Sequence, residues 1–296
     1  MPSKRTLNRW MWAWFLIAPT IIGLIVLNIY PILQTFYMSF FRTGDFGKGN
    51  IFVGLQNYKR LVGDVQVWYA ARNTLVYTII VVPVSIALSM LVAVFLNLKI
   101  RGRGIYRTIF FIPVVAAPAA VTMVWKWLYN NNFGLINHLL SLFGIPPVNW
   151  IDDPHVALLS IAIIGIWSSV GYNMVLLLAG LQEIPGDYYE ASQIDGASPV
   201  RQFFSITLPL VTPTLFFVLV TSMITALQVF DSIYMMVNVE SPAYNSDVSL
   251  VYLFYQYSFK YTLKGYGSAI VMLLLLIIMI ITAIQLKTQK KWVNYM

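Results

Sequence analysis

Cysteine is absent from these 296 residues, which excludes disulfides, thiolate nucleophiles and cysteine-bound metal. Histidine is almost absent: His138 and His155 stand alone, without ligand spacing, and read as exposed loop residues rather than a metal site. Charge is scarce. Only 10% of residues are charged, against about 25% in an ordinary soluble domain. No Gly-x-x-x-x-Gly-Lys-[Ser/Thr] loop is present to cradle phosphates. The nearest stretch, FGKGN, has Arg42 at the first glycine position and Gly49 in place of the hydroxyl. The net charge of +8 falls in short basic clusters beside apolar runs. That is a topology pattern, not a nucleic-acid footprint.

What the chain has in excess is apolar side chain, 59% of residues, more than a soluble fold of this size hides. The class is therefore all-α integral membrane protein. A spanning helix needs about 20 mostly apolar residues, and six stretches qualify: 11–35, 74–98, 105–129, 156–181, 207–237 and 266–286. Backbone groups in lipid must be satisfied within the segment, and barrel strands would alternate in hydrophobicity, as these runs do not. Residues 1–296 are expected to form a single transmembrane domain. The leader with Lys4, Arg5 and Arg9 opens a run too long for a signal peptide, and no small-residue cleavage site follows it, so it reads as an anchor.

Orientation follows from the short connections. Lys4, Arg5 and Arg9, then Lys99, Arg101, Arg103 and Arg107, then Lys287, Lys290 and Lys291 share one side if six helices alternate, and that side is cytoplasmic. The long first loop carries Arg42, Lys48, Lys59, Arg60 and Arg72, but long loops translocate largely regardless of charge. Both termini are expected in the cytoplasm. On the outer side, Ile136, Leu139, Leu140 and Phe143 recur at helical spacing and predict a short amphipathic helix. Asp153-Pro154 reads as N-cap and first residue of the fourth span, which accounts for Asp152 and Asp153 without a metal. Most of the tryptophans read as an interfacial belt.

Between the fourth and fifth spans lies a polar insertion, EASQIDGASPVRQFFSITLPL, from Glu190 to Leu210. Asp187 followed by Glu190 is a capping-box pattern. It predicts a helix over 188–195 that Gly196 stops at the left-handed position after the last turn. Ser198-Pro199 then caps and opens a second helix. An isolated helix of about two turns is marginal in water, so this hairpin, about 185–206, is either an ordinary polar loop or a docking element for a cytoplasmic partner.

At these residues the chain resembles the membrane subunit of binding-protein-dependent ABC importers. That family's signature is Glu-Ala-Ala, three residues, Gly, nine residues, Ile, any residue, Leu-Pro. Glu190, Ala191, Gly196, Ile206, Leu208 and Pro209 meet it, with Ser192 replacing the second alanine. FVGLQNYKRL, RNTLVYT, RGRGIYRTIFFIPVV, VWKWLYN, GLQEIP, IDGAS, ITLPL and QVFDSIYMM extend the likeness to carbohydrate-uptake permeases of the maltose and glycerol-3-phosphate type. VNVESP departs from the Gly-Gly-Pro turn usual there.

The resemblance implies one permease domain working with a second, homologous permease, two cytoplasmic ATPase subunits that bind the ATP and Mg, and an extracytoplasmic solute-binding protein that delivers a sugar. The membrane would be that of a bacterial or archaeal cell. The hairpin would be the coupling helix: Glu190 the polar contact, Ala191 and Ser192 the small surface for close approach, Gly196 the turn, and Asp195 and Arg201 either paired or facing the ATPase. Polar residues within spans are costly and face a cavity or a partner helix. The resemblance favours Ser169, Tyr172, Asn173, Ser222, Thr225 and Gln228 as a substrate path, and Asp231 stands out as an acid near the outer end of its span. Lys126 is a weak pointer to a charged sugar. The rival is a gradient-driven secondary transporter, which tends to show broken paired helices or midplane acid–base residues. A membrane-bound enzyme would need the His cluster, Cys ligands or paired acids that the composition lacks.

Overall fold

The computed structural model describes residues 4–44, 50–98 and 101–294. Helix α1 (Lys4–Leu24) passes through a π-helical turn at Ile25–Ile29 into α2 (Tyr30–Met38). A short antiparallel ribbon of β1 (Phe41–Thr43) and β2 (Asn50–Phe52) follows, with Phe41 opposite Phe52. Next come α3 (Gln56–Gly63), α4 (Val65–Asn97), α5 (Arg103–Val115), α6 (Pro118–Leu128), α7 (Leu135–Ser141) and α8 (Ala157–Gln182). A hairpin of α9 (Asp187–Ile194) and α10 (Pro199–Gln202) leads through a π-helical turn at Phe203–Thr207 and the single turn α11 (Leu208–Leu210) into α12 (Thr212–Leu227). The remainder is α13 (Asp231–Met236), α14 (Tyr244–Asp247), α15 (Leu250–Tyr255), a third π-helical turn at Gln256–Lys260 and α16 (Lys264–Gln289).

The first two π-helical turns share a cause. Pro31 and Pro209 each lie four residues beyond a member of the widened turn, Leu27 and Ser205. A proline ring clashes with the carbonyl of residue i−4, and widening the turn relieves the clash without ending the helix.

Five helical segments are long and apolar enough to cross a membrane: Trp10–Met38, Val65–Asn97, Ala157–Gln182, Thr212–Met236 and Lys264–Gln289. The stretch over 105–129 is not one rod. Its halves, α5 and α6, meet at 98° and make a sixth span when counted together. Pro118 dictates the break, because the residue before a proline is driven out of the helical region. Ala117 (φ −60, ψ 129) and Ala116 (φ −74, ψ 141) are accordingly extended. Helix α7 covers Ile136, Leu139 and Leu140 of the expected short helix but ends at Ser141, before Phe143. The fourth span starts at Ala157 and not at Pro154. Asp153 instead closes a preceding turn, its carboxylate accepting from the His155 amide at 2.9 Å.

The chain packs as two compact units, Met1–Asp64 with Phe254–Leu273, and Val65–Leu253 with Leu274–Met296. In the first, no side chain from Trp10 to Met38 is buried. The ribbon is locked to α3 by Asn57, whose amide donates to the Ser39 and Phe41 carbonyls at 2.8 and 2.9 Å.

In the second unit α4 and α8 form the centre. Helices in lipid gain little from apolar burial and associate through close contact of small residues, and α8 is built for this. A Cβ on Gly165 would meet Tyr77 of α4, one on Gly171 the Phe110 carbonyl of α5, and one on Gly180 Thr214 of α12. Three neighbours thus approach one helix at three glycines. Ser89 ties α4 to α8 by donating to the Val170 carbonyl at 3.1 Å. Below these contacts a core of Met90, Leu96, Met174, Leu178, Leu181 and Val211 carries Tyr189 and Phe203 of the hairpin region against it.

Candidate functional site

Within the second unit a cavity of about 430 Å³ opens between α4, the α5–α6 elbow, α8, α12 and the start of α13. Its size sits in the lower part of the usual range for small-molecule sites. Ser169, Tyr172 and Asn173 reach it from α8, Ser222 and Thr225 from α12, Gln228 from the break after α12, and Asp231 from the first turn of α13. Residues 62 positions apart, Ser169 and Asp231, thus line one space, because Gly171 and Gly165 bring the elbow and α4 against α8. The elbow adds Pro113, Pro118 and Thr122, and α4 adds Tyr77 and Ser85. Sequence reading missed these five. The paired prolines at 113 and 118 were the available signal for the elbow. Tyr77 and Ser85, inside an apolar run, carried none.

The walls are mostly uncharged. Among the described residues no lysine or arginine lines the cavity, and its one carboxylate is Asp231. That side chain is exposed in the first turn of α13, where a negative charge meets the positive end of the helix dipole. Ser169 is already engaged, donating to the Gly165 carbonyl at 2.7 Å. Asn173 is not satisfied. Its Oδ1 accepts from the Ser222 hydroxyl at 3.3 Å, while its Nδ2 is buried and has no hydrogen-bond partner among the described residues. Such an orphaned donor costs about 1–3 kcal/mol. Lys126 does not line the space. Its Nζ donates to the Met235 carbonyl at 3.2 Å, at the negative end of α13, a structural pairing that accounts for its charge.

The hairpin is a second exposed feature of the same unit. Helix α9 begins at Asp187, with Gly186 and not Asp187 at the capping position and no side-chain cap. The capping-box expectation therefore fails, and Asp187 and Glu190 act only as acids in the first turn. Its end is as expected. Gly196 has φ of 74°, the Gly196 amide donates to the Gln193 carbonyl at 3.0 Å, and the Ala197 amide to Ser192 at 2.9 Å. This Schellman arrangement satisfies the last carbonyls of the helix. Ser198 caps α10, its Oγ accepting from the Arg201 amide at 3.3 Å.

Three polar ties brace the hairpin from inside. The Gln202 amide donates to Ser192 Oγ at 2.9 Å, Ser192 Oγ donates to the Tyr189 carbonyl at 2.8 Å, and the Tyr189 and Thr207 hydroxyls lie 3.0 Å apart. The other face is unaccompanied. Glu190, Ala191, Asp195, Gly196 and Arg201 are exposed, Ile194 is 87% exposed and Val200 67%. Asp195 and Arg201 form no ion pair in the described structure. Ser192 faces inward and is not part of that surface.

Residues 67–292 match the family model described as the binding-protein-dependent transport system inner membrane component. The chain belongs to this family. Similar curated proteins span nearly its whole length. The trehalose/maltose transport system permease protein MalF of Thermococcus litoralis is 36% identical over 274 residues, 93% of this chain and 92% of that protein. The sn-glycerol-3-phosphate transport system permease protein UgpA of Pectobacterium atrosepticum is 30% identical over 298 residues, covering 100% of both. Among solved structures, a chain of a bacterial ABC transporter involved in alginate import superposes with a TM-score of 0.86 at 20% identity, covering 98% of this chain and 99% of that one. The permease fold is thereby established for this chain, and the elbow, cavity and hairpin are features of a membrane transport subunit.

Proposed function

We propose that this permease carries a carbohydrate or polyol into the cell as part of an ATP-driven importer. Residues 1–296 act as one permease domain beside a second, homologous permease. An extracytoplasmic solute-binding protein delivers the sugar, and two cytoplasmic ATPase subunits hold the ATP and Mg. Both termini and the hairpin face the cytoplasm of a bacterial or archaeal cell. Alternating access opens the central cavity to each side in turn.

The observation that carries the substrate class is the set of hydroxyl and amide side chains, Ser169, Asn173, Ser222, Thr225 and Gln228, around one cavity that no lysine or arginine among the described residues lines. A sugar hydroxyl offers both an acceptor for hydroxyl and Gln amide donors and a donor for Ser, Thr and Gln oxygens. Tyr172, half exposed at the cavity, adds an aromatic surface for the apolar face of a pyranose ring. Relatives named for trehalose/maltose and for sn-glycerol-3-phosphate support the same class. The exposed face of the hairpin supports the coupling role: Glu190 offers a charge, Ala191 allows close approach, and Ile194 presents apolar surface that a partner would cover.

The test is uptake into proteoliposomes of the whole complex with its binding protein, using maltose, trehalose and glycerol 3-phosphate as probes. ATP-dependent uptake of one of them is expected, reduced about fivefold or more in Asn173→Leu, the scale of one lost hydrogen bond. Uptake driven by an ion gradient without ATP would favour the secondary-transporter reading. Unchanged uptake in Asn173→Leu would remove the site.

A further inference from the structure

The first unit holds its own cavity, of about 260 Å³, and its chemistry is the opposite of the central one. Arg42, Gln56 and Arg60 line it together with Tyr266, and among the described residues no carboxylate does. Arg42 lies on β1, Gln56 and Arg60 on α3, and Tyr266 in the first turn of α16. The close approach of these elements depends on Gly265, where a Cβ would collide with the Phe41 carbonyl.

The Arg60 guanidinium is fixed without spending its N–H groups. It lies over the Tyr266 ring at 4.0 Å from the centroid and near Tyr257 at 5.6 Å. The two rings meet edge-on at 4.8 Å. Asp64 anchors both, accepting from the Tyr266 hydroxyl at 2.6 Å and the Tyr257 hydroxyl at 3.4 Å. A cation–π contact holds the plane of a guanidinium. Its edge donors then remain available for the bidentate grip on a carboxylate that arginine makes and lysine does not. No hydrogen bond or ion pair occupies the Arg60 guanidinium among the described residues.

The charge balance points the same way. Arg42, Lys59, Arg60, Lys260 and Lys264 are all exposed on this unit, and Asp64 is the one carboxylate among its described residues. That carboxylate is committed to the tyrosines. Arg42, Gln56 and Arg60 lie outside every candidate span. In the orientation proposed above they stand on the extracytoplasmic side, where membrane proteins do not ordinarily concentrate basic residues. A soluble acidic surface arriving there would be steered in by this field.

We propose that this pocket is the seat for a carboxylate side chain of the extracytoplasmic solute-binding protein, held by Arg60 and Arg42. The inference rests on the importer reading. It adds the place and the chemistry of docking.

The experiment uses the whole permease–ATPase complex in nanodiscs and the purified solute-binding protein that drives its uptake. Binding is titrated for wild type, Arg60→Gln, Arg42→Gln and the double variant, with Lys59→Gln as a charge control away from the pocket. The double variant is expected to bind about tenfold more weakly and with a flatter salt dependence, while Lys59→Gln stays within about twofold. Arg42 is exposed, so Arg42→Gln carries the test if Arg60→Gln fails to assemble. Affinity within twofold of wild type in both single variants overturns the proposal. So does a loss seen only in nanodiscs containing anionic lipid, which would assign the pocket to a headgroup. If wild type binds no solute-binding protein at all, the importer reading itself falls.

Discussion

Replacing Asp247 by asparagine separates two opposing costs that change places with pH. Asp247 ends α14 with 2% of its surface exposed, and its Oδ1 has no hydrogen-bond partner among the described residues. The turn cannot move away from this position. The Asn73 amide of α4 donates to the Asn245 and Val248 carbonyls at 2.9 and 3.1 Å, and the Leu250 amide donates to Thr74 at 3.1 Å. Burial first, and then the negative charge of Asp152, push the Asp247 carboxyl up to about 8 from an ordinary 3.8. Between those limits the folded chain holds the proton more tightly than the unfolded one. Its contribution to stability is therefore full below about 4, falls as pH rises, and is gone above about 8.

A rise from 3.8 to about 8, at about 1.4 kcal/mol for each pH unit, sets a ceiling near 6 kcal/mol, and relaxation with water entry leaves about half. An asparagine cannot ionise, but it adds a buried amide needing an acceptor, at about 1–3 kcal/mol. At pH 5 the second cost dominates and Asp247→Asn should melt a few degrees below wild type. At pH 9 the first dominates and the order should reverse. The assay is thermal unfolding of the purified complex, followed by fluorescence-detected size exclusion at pH 5, 7 and 9. Melting curves that stay parallel across that range would refute the buried-carboxyl argument.

Gly171→Ala gains about 1 kcal/mol of helix propensity, but its Cβ would strike the Phe110 carbonyl and crowd the Phe111 Cα, both backbone atoms that cannot rotate aside. Overpacking at about 1–3 kcal/mol or more wins, so the complex should melt at lower temperature and lose uptake, and a higher melting temperature would refute the close approach. Glu190→Lys reverses the charge on the exposed face of the hairpin. It should abolish ATPase stimulation by loaded binding protein while the complex still assembles, and undiminished stimulation would dismiss the role given to Glu190.

The parts legible in the sequence were those with local causes. Gly196 stops α9 and Ser198-Pro199 opens α10, because a left-handed turn and a cap are decided by neighbours in the chain. The spans were legible by length alone. The elbow was not, since an apolar count passes through Pro113 and Pro118 without registering direction. That Ser169 and Thr225 line one cavity lies beyond local reading, for it depends on which helix Gly171 admits. The seat around Arg60 joins residues about 200 positions apart and rests on Tyr266 facing Asp64, for which no sequence spacing exists. Asp187 misled for the opposite reason. Its pattern was local, but Gly186 took the capping position.

The brace between Ser192 and Gln202 bears on how this sequence could have diverged from its relatives. At position 192 the family pattern has alanine, a swap that looks neutral by size. An alanine there would remove the acceptor of the Gln202 amide, so the two positions are expected to change together. Lineages that reverted to alanine at 192 are expected to have lost glutamine at 202 as well, and a phylogeny of these permeases should show the two changes on the same branches.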